Sequence, residues 1–83
     1  MRAPCQPQLI RSLADAIPNE RVEIQSIRFD GIRDYCAVLG VESGDVVRCM
    51  GRTRVRLLLH TAAGADLGFD LLLARFVGVR HVA

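Results

Sequence analysis

The sequence predicts a mainly β protein, a small barrel of about five strands with one or two short helices. Three observations predict it. A chain of 83 residues that is 51% hydrophobic can bury one small core and no more. Short β-branched runs recur at close spacing, with tight turns between them. The stretch from Val38 to Val47 reads as a helix end, a glycine stop, a tight turn and a strand start. Leu39 closes the helix, Gly40 fits the left-handed position just past its end, and Val41 folds back on Cys36. Glu42-Ser43-Gly44-Asp45 has turn chemistry, and Val46-Val47 begins a β-branched run.

The remaining elements follow in order. Residues 1–7 carry two prolines and no pattern, which predicts a flexible tail ahead of one domain over 8–83. Leu9, Ile10, Leu13, Ala14 and Ile17 keep helical spacing, which predicts a short amphipathic helix from about Gln8 to Ala16. Pro18-Asn19 ends it, with Asn19 able to turn left-handed. Val22 to Phe29 is the first strand. Its apolar parity switches between Ile24 and Ile27, so a β-bulge is expected near Ser26, with Ile27 and Phe29 sharing one face. Asp30 is the expected N-cap of the central helix, with Ile32, Cys36 and Leu39 on one face and Tyr35 on its edge.

Val46–Met50 and Thr53–His60 are expected to form a hairpin around Gly51-Arg52, with Val55, Leu57 and Leu59 facing the core. A looser turn from Thr61 to Asp66 leads to a brief strand at Leu67–Phe69. Asp70–Ala74 is long enough only for a 3₁₀-like turn, and Phe76–Val82 is the last strand. Tight turns and a single-turn helix before the last strand describe a small SH3-like barrel. A ubiquitin-like or ferredoxin-like fold needs a longer central helix.

Composition narrows the function. The net charge is +2, and Phe29, Tyr35, Phe69 and Phe76 are the only aromatic residues. All 11 basic residues are arginine, scattered from Arg2 to Arg80, which reads as coding bias. Cys5, Cys36 and Cys49 form no close pair, as in a reducing cytosol. No signal core is visible, and Leu71–Val79 falls far short of the roughly 20 apolar residues of a membrane span. The expectation is a cytoplasmic protein without membrane insertion.

Three groups of residues carry a family resemblance. A turn at Pro18-Asn19-Glu20 precedes Ile24-Gln25-Ser26-Ile27; Leu39-Gly40-Val41 precedes Gly44-Asp45-Val46-Val47; Gly64, Phe69, Ala74, Val77 and Val79 close the pattern. In these the chain resembles the FeoA domain, the small cytosolic SH3-like partner of the bacterial ferrous iron transporter FeoB. The resemblance runs from about Leu13 to Val82, and the chain is a divergent member of the pattern. Tyr35-Cys36 stand where the family usually has Arg-Leu, leaving Arg33 as the nearby basic residue, and the loop between strands two and three is cut to Gly51-Arg52. The resemblance implies a non-catalytic adaptor with no cofactor, docking on the GTP-hydrolysing domain of FeoB and regulating metal ion homeostasis. The same domain type also closes metal-dependent repressors, behind a DNA-binding domain. Here only a tail and a short helix precede the barrel, which points to the transport system.

The residues support a protein-binding module more than its rivals. No Ser-His-acid order and no phosphate loop is present, so no catalytic residue is assigned. Arg33, Asp34, Tyr35 and Glu42 would form one docking edge on the frame of Gly40 and Gly44, and Arg54 and Arg56 a second face. Barrel edges also make a homo-oligomer possible by strand addition. Arg48, Arg52, Arg54 and Arg56 would attract phosphate, yet the strands lack aromatics for stacking bases, so an Arg-rich nucleic-acid-binding barrel is the alternative. A metal-sensing module would use His60 and His81, which meet only if their strand ends are adjacent. First-row metals want three or four convergent ligands, so no metal site is assigned.

Overall fold

A computed structural model describes residues 11–82. Six strands form one antiparallel sheet in the order β1-β6-β2-β3-β4-β5: β1 Arg11–Ser12, β2 Arg21–Ile27, β3 Val46–Arg52, β4 Arg56–Thr61, β5 Asp66–Asp70 and β6 Val77–His81. Helix α1 spans Asp30–Leu39, and α2 is the single turn Leu71–Ala74. The sheet curls around one core, to which Val22, Ile24, Val47, Cys49, Leu57, Leu59, Phe69, Val77 and Val79 contribute from five strands. α2 packs against β5 on one side and the 3₁₀ turn Leu13–Asp15 on the other, so it spans the gap between the two edge strands. The mainly β, SH3-like architecture is as expected, with six strands in place of five.

The extra strand replaces the first expected helix. Arg11 and Ser12 pair with Val79 and Gly78 of β6, and only Leu13–Asp15 is helical. Asp15 Oδ2 accepts from both the amide and the hydroxyl of Ser12, which closes a one-turn unit, and Pro18 forbids its extension. Of the expected apolar face, Leu13 is buried and Ala14 packs against the core, but Ile17 is 62% exposed, because the helical turn ends at Asp15. Residues 1–7 and 8–10, the expected tail and helix start, lie outside the described residues.

The bulge is where the parity switch put it: β2 loses register against β6 between Ile24 and Ser26. Phe29, expected at the end of this strand, has instead left it for a left-handed conformation, φ 62° and ψ 133°, as the N-cap of α1; Asp30 is the first helical residue. The hairpin turn also lies further on than expected. β3 absorbs Gly51 and Arg52 through a second register shift after Cys49, pairing them with Leu58 and Leu57. The turn is then Thr53-Arg54-Val55-Arg56, closed by Thr53 N donating to Arg56 O at 2.8 Å. The Thr53 hydroxyl accepts from Val55 N and Arg56 N, so a hydroxyl rather than a glycine makes this turn. Val55 therefore sits at the tip and is 66% exposed. Asp70, expected within the turn before the last strand, caps α2 by accepting from Leu72 N and Leu73 N.

Candidate functional site

The end of α1 and the turn after it form the most defined surface. Ile32 and Cys36 bury one helix face, and burial pushes the Cys36 thiol pKa up, away from reactive thiolate. Gly40 stops the helix at φ 80°, donating to Ala37 O at 3.0 Å, while Val41 N donates to Cys36 O at 2.9 Å. These two bonds define a Schellman stop, and Val41 is buried beyond it. The turn closes with Asp45 N donating to Glu42 O, while the Asp45 carboxylate accepts from Glu42 N at 2.9 Å. It is also fastened to the bulged strand: Gly44 N donates to Ile24 O and Ile24 N to Asp45 O, each at 2.8 Å.

Between this turn and the outer side of α1 lies a groove of about 550 Å³, lined by Ile27, Arg33, Ala37, Val41, Glu42 and Ser43. Arg33 Nη2 donates to Ile27 O at 3.3 Å, holding the guanidinium over one wall, and Glu42 supplies a carboxylate on the other. Val38, 86% exposed, projects from the same helix end. Opposite charges either side of a small apolar floor suit a protein surface. They offer no nucleophile with a neighbouring base.

The other expected docking residues are placed differently. Asp34 is exposed on α1 but lines none of the groove. Tyr35 is half-buried: its ring meets Phe69 edge-on at 5.1 Å, and its hydroxyl accepts from Asp70 N at 2.9 Å. It pins α1 to β5 and the start of α2. Arg54 is exposed in the hairpin turn, and the Arg56 side chain lies over Gly68, where a Cβ would come within 3.2 Å of it. The arginine run is thus not one patch, because Arg52 is held by Ala14 O and Ala16 O at 2.8 and 2.6 Å.

His60 and His81 do not meet. β2 and β3 lie between their strands, and each imidazole has its own carboxylate: His60 Nδ1 to Asp66 at 2.6 Å, His81 Nδ1 to Glu20 at 2.8 Å. Among the described residues, no three His, Cys, Asp or Glu side chains converge as a metal would need.

Glu20 is the charged residue that sequence reasoning missed. It is 7% exposed, yet both its oxygens are engaged by the Arg11 guanidinium, at 2.5 and 2.8 Å. It also accepts from Ile17 N at 3.1 Å and from His81. The Arg11 hydrogen bonds outweigh burial and, with those from His81 and Ile17, hold its pKa down at about 2. Its place after Pro18-Asn19 was visible as a turn. Nothing in the order of residues announces that Arg11 and His81 converge on it.

This is the geometry of a small barrel in which a short helix and its stop present a groove. No protein-family model and no curated protein matches the chain. Solved structures do. A crystal structure of the iron uptake regulatory protein FeoA superposes with a TM-score of 0.79 at 16% identity, covering 90% of this chain and 100% of that one. A FeoA-like protein from Clostridium acetobutylicum gives 0.79 at 16% identity, over 89% of this chain and 88% of its own. A manganese-dependent transcriptional repressor in complex with manganese gives 0.79 at 15% identity, over 93% of this chain but only 39% of the repressor. The chain has a FeoA-like fold. At these identities the likeness is one of fold.

Proposed function

We propose that this chain is a non-catalytic adaptor in ferrous iron transport, docking on the GTP-hydrolysing domain of a FeoB-type transporter through the groove of Arg33, Ala37, Glu42 and Ser43. What carries the reading is the FeoA-like fold, matched over the whole of a FeoA structure, together with a groove held rigid by the Gly40 stop. A rigid surface loses little entropy on docking. Binding there biases the nucleotide or gating state of the transporter without contact with iron. A second reading, a regulatory domain in metal-dependent transcription, is supported by the likeness to part of the manganese-dependent repressor.

Calorimetric titration of the FeoB G domain from the same organism, with and without GTP, tests the first reading. Saturable binding that Arg33→Glu and Glu42→Arg each weaken is the expected result. No heat in any nucleotide state would reject it and favour the second.

A further inference from the structure

The opposite end of α1 carries a second surface. Phe29 sits at φ 62°, a conformation in which a bulky side chain is a genuine outlier. It is held there from both sides: Arg33 N donates to Phe29 O at 3.0 Å, and Arg28 N donates to Phe76 O at 3.1 Å. The strain does not put the ring in the core. Phe29 is 63% exposed, and it meets Phe76, itself 40% exposed, edge-on with centroids 5.5 Å apart. A backbone outlier that exposes an aromatic pair points to a use outside the fold.

The surroundings say what kind of partner fits. Beside Phe76 is a slot of about 190 Å³, lined by Ser12, Ser26, Arg28, Arg75 and Gly78 among others. Arg28 and Arg75 are exposed and form no ion pair among the described residues, whereas Arg11 at the slot's edge is neutralised by Glu20. Guanidinium forks and hydroxyls suit a carboxylate. Asp30, directly after Phe29, and Asp34 one turn on are both exposed and confine the positive charge to the Arg28 and Arg75 side, which suits a short segment that sets a carboxylate there better than a continuous run of phosphates.

We propose that the Phe29–Phe76 pair with Arg28 and Arg75 forms a docking site for an acidic protein segment that sets an apolar side chain beside a carboxylate. The slot shares no lining residue with the groove along α1, and its test does not depend on a transporter.

The test is an NMR titration of the ¹⁵N-labelled chain with a blocked acidic hexapeptide, DELFED, its amide counterpart NQLFQN, and oligothymidylate. The acidic peptide should give saturable shifts at Arg28, Phe29, Arg75 and Phe76. Phe29→Gly and Arg75→Gln should each weaken it about tenfold, as loss of an interface anchor does, with the melting temperature maintained. NQLFQN should bind at least about tenfold more weakly than DELFED, since each charged hydrogen bond is lost. Absence of saturable shifts at these residues, equal binding of NQLFQN, or tighter binding of oligothymidylate would overturn the proposal. So would concentration-dependent shifts at the same residues without peptide, which would mean that a second copy covers them.

Discussion

At its C-terminal end α1 stops on Gly40, whose φ of 80° suits a residue without a side chain, and its last carbonyls are satisfied by Gly40 N and Val41 N. At its N-terminal end it starts on Phe29, whose φ of 62° suits almost no side chain, and no side chain caps its first amides. The first end is relaxed and followed by a buried valine; the second is strained and exposes a phenylalanine. Where a helix end is left strained and apolar, the fold alone does not account for it.

The contrast can be broken by substitution, beginning with the frame that both ends share. The Glu20 carboxyl has a folded pKa of about 2 against an ordinary 4.5, so its contribution is complete above about pH 4.5 and lost as the pH falls toward 2. The shift corresponds to on the order of 3 kcal/mol. Denaturant melts from pH 7 to pH 2.5 should show this loss, and Glu20→Gln should be less stable at pH 7 with a flatter acid limb. The difference between the two ends of α1 should survive the change of pH.

Gly40→Val should cost about 2 kcal/mol by chemical denaturation, because a β-branched residue is forced to positive φ. Outside its chain neighbours no atom lies within 4 Å of the added Cβ, so the cost comes from the backbone conformation. An unchanged midpoint would remove the relaxed stop from the account. Tyr35→Phe, in the middle of the helix, should cost about 1 kcal/mol by leaving Asp70 N unpaired.

Phe29→Gly should have the smallest effect. Relief of strain and loss of the edge contact with Phe76 are each about 1 kcal/mol and opposite in sign. A loss of 2 kcal/mol or more would show that the ring is structural and dissolve the contrast.

The same contrast explains what could be read from the residues alone. Gly40, Gly44 and Asn19 are legible because residue type and backbone conformation are coupled there: all three take positive φ, as their types allow. The bulge was legible because a parity switch has one simple cause. Phe29 was not, since an apolar residue at the end of an apolar run looks like more strand. The Thr53 turn was hidden by Gly51, a stronger turn signal two residues earlier, which serves a register shift instead. Of the residues expected to dock, Arg33 and Glu42 meet in one groove because the glycine stop folds the turn back on the helix. Tyr35 was expected on the docking edge, and its contacts with Phe69 and Asp70 are decided by a strand about 35 residues on that no local pattern reports.

Docking of a transporter on the relaxed end of α1 and its tied turn is our proposal. The footprint of unlabelled FeoB G domain on the ¹⁵N-labelled chain tests it most directly. Intensity loss and shifts are expected at Arg33, Ala37, Val38, Glu42 and Ser43, abolished by Glu42→Arg. A footprint confined to Phe29 and Phe76, or none at any ratio, would contradict it.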